Sequence, residues 1–435
     1  MIPSTPEQWL DRLAGRLDAD RVRFKLLRRY ITGDAPLPEG ATDAREAYRR
    51  WQHLARTDFA NLIVDAVAER LTVTGFMVGD QAQDNDAART LWRVSRMDSA
   101  SADVHRDMLV YGRAFAMATP VGGGAVLTRE SPLATIVDSD PLVPGLVRAG
   151  LKTWVDMDTQ YAVVHLPGEV HRFVRDRVDP LSRLSGGWRL EESAGTGLDV
   201  VPVVEFRNRD GRGEFALHLD LLDRINWVLL QRLLIIAMQA FRQRALEGDL
   251  PERDENGDLI DYEAIFTPGP DALWTLPDGV SIWESTPGDI QQILSAVKDD
   301  IRDLSAATRT PMSVLSPDSA NQSAQGAALS REGLVFKVED RQRRATPSWE
   351  ALVSMGLGMT GEALPVRVQW APAERQSLAE KADAAVKLAQ TLPWRRVMSD
   401  VLGYAADDVD LMELDRAGDA LALMLGEPAG GTAVA

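Results

Sequence analysis

Between Ile225 and Phe241, Trp227, Val228, Leu229, Leu230, Leu233, Leu234, Ile235, Ile236 and Met238 put apolar groups on every face of a helical stretch. A helix apolar all round has to be enclosed by protein, because water would meet its side chains on any uncovered face. The periodicity predicts a helix of roughly 30 residues, from about Glu214 to Glu247. Asn226, Gln231, Arg232 and Gln239 interrupt the apolar stretch, and its longest unbroken run is Leu233 to Met238. A spanning helix needs about 20 mainly apolar residues, so this one is buried or interfacial and not a membrane segment. Two enclosures satisfy it: the core of a monomer, or a place walled on two sides by neighbouring subunits.

At 435 residues the chain has material for two or three domains. Its 48 Lys+Arg against 65 Asp+Glu leave a net charge of −17, which argues against holding nucleic acid by neutralising phosphates. There is no cysteine, so disulfides, thiolate metal sites and cysteine nucleophiles are excluded, and an intracellular folding compartment fits. The N-terminal MIPSTPEQWLDRL lacks the basic and apolar regions of a signal peptide.

Ser4 and Glu7 match a capping box, with Leu10, Leu13 and Leu17 on one face of the helix that follows. Tyr48, Trp51, Leu54, Leu62, Ile63 and Val67 predict one second helix, then a short strand at Leu71–Phe76, then a helix from about Asp86 to Tyr111 with a break near Met97. From Gly112 to Arg207, β-favouring runs at 114–119, 125–128, 135–137, 153–155, 161–165 and 200–206 predict an antiparallel meander. After the long helix, Gly248 to Glu284 is a turn-rich module. Ile290, Ile293, Leu294, Val297, Ile301 and Leu304 then stripe an amphipathic helix. Thr310 to Ser323 reads as a loop, Ala324 to about Met355 as helix, and Val366 to Trp370 as a strand before two C-terminal helices. A polar loop of 14 residues is either a flexible connector or a functional element.

The catalytic inventory is thin. No nucleophile elbow, phosphate-binding glycine loop or H-E-x-x-H is present. His165 and His171 flank a Pro-Gly turn and read better as hairpin histidines than as zinc ligands. Asp254-x-Asn256-x-Asp258 imitates a calcium loop, but Leu259 stands where the glycine belongs, so a hairpin tip with Asn256-Gly257 as its turn is expected. Asp156 and Asp158 are placed on one side of a strand, as paired carboxylates are, in an already acidic chain. Charge placement says more. Thirteen acids against Arg253 and Lys298 put −11 of the −17 between Gly248 and Asp300, while Ile301 to Arg344 carries +2. Such a surface is a solvated acidic face, a repeller of polyanions, or a dock for a basic partner.

Several stretches in order are similar to the portal proteins of tailed double-stranded-DNA bacteriophages. They are Asp58-Phe59-Ala60-Asn61-Leu62-Ile63-Val64-Asp65 running to Glu69-Arg70-Leu71 and Gly75-Phe76, and Leu109-Val110-Tyr111-Gly112-Arg113-Ala114-Phe115. Val201-Pro202-Val203-Val204-Glu205-Phe206 then leads to Asp223-Arg224-Ile225-Asn226. Thr308-Arg309-Thr310-Pro311 opens the polar loop and Asn321-Gln322-Ser323-Ala324 closes it, ahead of Lys337-Val338-Glu339-Asp340-Arg341 and Trp349. The likeness covers about residues 25 to 420, and its order and spacing carry it.

The resemblance implies an α+β portal fold assembled as a ring of about twelve subunits. The wing would be residues 1–213, the stem helix 214–247, the clip 248–286, a second stem helix 287–308, the tunnel loop 309–323, a wing return 324–398, and a short crown and tail 399–435. DNA would face Ser313, Ser316, Asp318, Ser319, Asn321 and Gln322. Subunits would meet through Asn226, Trp227, Leu230, Leu233, Ile236, Ile293 and Val297. Asp254, Glu255, Asp258, Asp261 and Glu263 would form the clip's docking surface. The implied partners are the terminase large subunit, a head-tail adaptor, the major capsid and scaffolding proteins, and double-stranded DNA passing without sequence-specific binding. No membrane, cofactor or metal is implied, and no catalysis. The place would be the unique vertex of the virion, assembled in the host cytoplasm. A soluble acidic metal-dependent hydrolase or another virion structural protein is the alternative.

Overall fold

A computed structural model describes residues 2–37, 46–79, 85–143, 145–176, 183–240, 244–248, 253, 257, 259–260, 280–284, 290–316, 324–359, 361, 364–374, 378–404 and 406–425. Helix and strand are mixed. The chain divides into one compact unit of Met1–Pro36, Asp58–Leu222 and Ile301–Ala435, and a second of Leu37–Thr57 and Asp223–Asp300.

In the first unit, α1 (Pro6–Ile31) is capped one residue later than the sequence pattern suggests. Thr5 Oγ1 accepts from Gln8 N, and Gln8 Oε1 takes the Ser4 N–H. Pro6, with no N–H to satisfy and φ already helical, makes position 6 the first turn and so position 5 the cap. Trp9, Leu10, Leu13 and Leu17 of α1 share a core with Ile136, Leu151, Val164 and Phe173.

The expected meander is two antiparallel sheets. One has the order β3-β2-β9, from Arg113–Val121 (β2), Gly124–Glu130 (β3) and Val203–Arg207 (β9). The other runs in sequence through Thr135–Ser139 (β4), Val147–Asp156 (β5), Thr159–Leu166 (β6), Glu169–Asp176 (β7) and Arg189–Gly195 (β8). Strand β7 buries Phe173 and Val174 without a clean alternation, and β8 left no apolar signature. All seven residues of β8 are exposed, so no buried face imposed the alternation that marks a strand.

The helix expected over Tyr48–Val67 is two, α2 (Glu46–Leu54) and α3 (Phe59–Ala68). The predicted break near Met97 falls at Arg96 (φ 55), between α4 (Asp86–Val94) and α5 (Met97–Tyr111). Helix α5 stops at Gly112 (φ 82), where a Cβ would lie 2.4 Å from the Gly211 carbonyl carbon, so only glycine turns the chain there into β2. Strand β1 (Val73–Val78) pairs antiparallel with β12 (Val366–Trp370), some 290 residues away by number.

The 35-residue helix Ala324–Gly358 buries Trp349 completely. Trp349 packs on Phe206 at 4.5 Å and Trp92 at 5.0 Å between ring centroids, and its Nε1 donates to His105 Nε2 at 2.9 Å. Burial lowers the His105 pKa to about 4, against a smaller opposing effect of the Leu71 backbone, so the imidazole stays neutral in this aromatic core. Toward the C-terminus Leu378–Leu388, Trp394–Arg396 and Ala406–Leu425 are α-helical, with a π-helical turn at Val397–Leu402.

The second unit holds α2, most of α6 (Leu219–Ala240), a strand pair of β10 (Arg244–Glu247) and β11 (Ser281–Glu284), and the first part of α7 (Ile290–Thr308). Helix α6 is 22 residues long, shorter than expected at both ends; beyond its C-terminal end Arg244–Glu247 is strand, paired with β11. Within this unit Arg224 bonds Asp300 at 2.7 Å, and Asn226 Oδ1 accepts from Thr57 N and Oγ1 at 3.0 and 2.8 Å.

Candidate functional site

In the first unit, the end of α7 and the start of the polar segment after it form a buried polar knot. Thr308 Oγ1 donates to Leu304 O at 2.7 Å and lies 3.0 Å from Thr310 Oγ1, while Ser305 Oγ donates to Thr310 O at 2.7 Å. The Thr310 N–H reaches Ser305 O and the Arg309 N–H reaches Ala306 O, the paired bonds of a Schellman C-cap. Its left-handed residue, normally glycine, is Arg309 at φ 52.

Lys337, from the long helix Ala324–Gly358, donates from Nζ to Thr308 O at 2.9 Å and lies 2.9 Å from Glu214 Oε2. Arg341, one turn on, meets Glu214 through Nε at 2.6 Å and Nη2 at 3.3 Å. Asn208 Nδ2 adds a bond to Glu214 Oε1 at 3.0 Å. The Glu214, Lys337 and Arg341 side chains are only 3%, 6% and 10% exposed, so this is a buried ion triad with its lone pairs satisfied. Burial alone would raise Glu214, but Lys337 and Arg341 together outweigh it and hold its pKa at about 2. Burial depresses Lys337 even against the pull of Glu214. The triad thus fastens α7, the long helix and the Gly213–Phe215 segment at the root of the polar loop. Gly213 lets that segment lie against α5, since a Cβ there would lie 2.0 Å from Val110 O.

Above the triad opens a cleft of about 600 Å³ lined by Arg209, Arg212, Arg309 and Arg343, with His218 and Phe336 on its walls. Burial, and next the charge on Lys337, lower the His218 pKa.

Of the expected loop residues, Ser313 is exposed on a single helical turn, Met312–Leu315, and Ser316 follows it half-buried. Part of the expected loop is therefore helix, pinned by buried Pro311 and Leu315. Asp318, Ser319, Asn321 and Gln322 lie outside the described residues, as do Asp254, Glu255, Asp258, Asp261 and Glu263. Near the latter, Arg253 forms an antiparallel bridge with Leu259 and its Nη1 donates to Gly257 O at 2.7 Å, with Gly257 at φ 89, while Asn256 of the expected turn lies outside the described residues.

On α6 and α7, Asn226, Leu230 and Val297 are buried within the chain, and Leu233 and Ile293 are half-buried. Trp227 and Ile236 stay 47% and 46% exposed.

Asp156 closes β5 while Asp158 belongs to the following turn, with Met157 at φ 46 between them, so they do not share a strand face. His171 is held by Ser193 at 2.8 Å and Glu169 at 3.1 Å. Burial, with a smaller push from Lys152, lowers the His165 pKa to about 4. Among the described residues no group of three or more side chains is arranged to hold a metal, and no helix is long and apolar enough to cross a membrane.

Sequence reasoning missed the triad. Its one signal was Lys337 and Arg341 at i and i+4 on a helix, which places both cations on one face, but their anion lies more than 120 residues away.

Residues 10–401 match the family described as phage portal protein, SPP1 Gp6-like. The portal protein of Mycobacterium phage L5 is 24% identical over 425 residues, covering 88% of this chain and 82% of that protein. The portal protein of Mycobacterium phage D29 is 25% identical over 394 residues, covering 81% and 77%. Among solved structures, a chain from the neck of an empty GTA particle is 12% identical with a TM-score of 0.48, covering 82% of this chain and 94% of its own. The chain belongs to the SPP1 Gp6-like family of phage portal proteins, structural components of the virion.

Proposed function

We propose that this chain is the subunit of a closed ring of about twelve copies, whose axial channel passes double-stranded DNA during packaging and ejection. Helices α6 and α7 form the stem around the channel. The β-rich region up to residue 213 and the return over 324–398 form the wing, and residues 399–435 a crown. The acidic segment 248–286 is the clip, docking first the terminase motor and later the head-tail adaptor, through Asp254, Glu255, Asp258, Asp261 and Glu263. Residues 309–323 are the tunnel loop, facing DNA through Ser313, Ser316, Asp318, Ser319, Asn321 and Gln322. Assembly takes place in the host cytoplasm with the capsid and scaffolding proteins, at one vertex of the head.

The observation that supports this best is helix α6 itself. Large apolar side chains such as Trp227 and Ile236 are about half exposed in the lone chain, on a helix apolar on every face. A neighbouring subunit on each flank covers them, and a ring supplies such neighbours by a heterologous interface that closes. A dozen copies at −17 each surround the channel with negative charge, which suits DNA that has to slide and not stick. Among the described residues no group of three or more carboxylates and histidines is placed to hold a metal, so nothing there favours the hydrolase. Light scattering with negative-stain imaging of the purified protein tests the reading. Rings of about twelve with a central hole are expected, and a compact metal-bound dimer overturns it.

A further inference from the structure

The cleft above the Glu214 triad is cationic in an otherwise acidic protein. Six cations (Arg209, Arg212, Arg309, Lys337, Arg341 and Arg343) line it against Asp210, Glu214 and Asp340. Glu214 is taken up by Lys337 and Arg341, Asp340 bonds Arg341 and Arg344, and Arg209 lies 4.0 Å from Asp210. Arg212, Arg309 and Arg343 are exposed on the rim and form no ion pair among the described residues. Arg309 is the most telling. It occupies the left-handed position of a helix C-cap at φ 52, where glycine is the residue without a steric penalty. A β-carbon tolerated at such a site points to use of the side chain it carries. Asp210, at φ 55, lines the same cleft, so two of the four left-handed non-glycine residues of the described chain meet here.

We propose that this cleft is one half of a subunit–subunit joint, in which carboxylates of a second copy of this chain seat on Arg212, Arg309 and Arg343. This rests on the ring reading above. A second copy arrives with a net charge of −17, so it has carboxylates to spare, and the guanidinium fork accepts them bidentately. DNA phosphates are the weaker fit. Asp210 and Asp340 in the lining repel a continuous run of phosphates, at one charge per about 1.7 Å of duplex, but leave room for separate carboxylates.

The test compares the parent with R309G, R343Q and R309K, measuring subunit melting at low concentration, ring formation by light scattering across a dilution series, and DNA binding at low salt. R309G removes the left-handed strain with the charge, so its subunit melts at the parent temperature or higher. In R309G and R343Q the half-assembly concentration should nevertheless rise by roughly tenfold or more, with R309K closer to the parent. Variants that assemble at the parent's concentration refute the joint. Normal rings with weakened, less salt-dependent DNA binding also refute it, and assign the cleft to phosphates. A parent that never assembles removes the ring reading itself, and with it the second copy.

Discussion

Replacing Glu214 with glutamine isolates the triad at the root of the polar loop. The substitution keeps the shape of the side chain but leaves Lys337, 6% exposed, as a buried cation without its anion, and Arg341, 10% exposed, with Asp340 alone. A Glu214 pKa held at about 2 against an ordinary 4.5 corresponds to about 3 kcal/mol of folded-state preference for the carboxylate. Stranding a buried partner costs about 3–5 kcal/mol, so E214Q should lose an amount in that range at pH 7. At about 2.1 cal/mol/K of unfolding entropy per residue, a unit of this size shifts by roughly 1–2 °C per kcal/mol, a fall of about 4–7 °C in melting temperature. Two pH signatures separate lost charge from lost packing. Glu214 has a depressed folded pKa, so its stabilisation is full above about 4.5 and fades as pH falls toward 2, and the gap between parent and E214Q should close over that window. Lys337, already depressed by burial, loses the Glu214 charge that raised it. The folded variant then sheds a proton that the unfolded chain keeps, so E214Q should gain stability as pH rises from 7 toward 10. Urea titrations followed by tryptophan fluorescence measure both. A loss under about 1 kcal/mol, or one flat from pH 3 to 10, would falsify the triad as an electrostatic fastening.

His105 and His165, each lowered from 6.5 to about 4 by burial, predict acid sensitivity. The unfolded chain binds their protons first, so stability drops between pH 6.5 and 4 by roughly 3 kcal/mol per histidine. H165N should remove about half of that drop in a pH series of melting curves. Replacing Leu233 and Ile236 together by aspartate should leave folded subunits that form no rings, seen as monomer mass in light scattering; full-sized rings would disprove the stem assignment. Deleting Pro317 to Ala320 should spare ring assembly yet reduce packaged DNA per particle, and normal phage yield from that deletion would count against a DNA-facing loop.

What the sequence alone determined is what depends on neighbours in the chain. The stripe from Ile290 to Leu304 is the helix α7, the break near Met97 is there, and Val366–Trp370 is a strand. The succession of short stretches was enough to point to the portal family, which the match over residues 10–401 establishes. The limits were equally local. A capping pattern was read one residue early because Thr5 and Gln8 compete with Ser4 and Glu7 for the same turn. One helix was read through Thr57, whose backbone and hydroxyl instead bond Asn226 far along the chain.

Tertiary structure decided the rest. The return of β9 to β2 split the meander into two sheets, and β8 exists only because β7 offers it an edge, with no apolar face to announce it. Above all, the candidate site depends on charges whose meaning changes with burial. Glu214, Lys337 and Arg341 look in sequence like three of the chain's many charged residues. Packing removes their water, and only then does each require the others. Arg309 is likewise an ordinary arginine until the end of α7 gives it a left-handed backbone and an open cleft to face. Periodicity is written in adjacent residues and can be read from them, whereas desolvation and backbone strain are set by what the fold brings alongside.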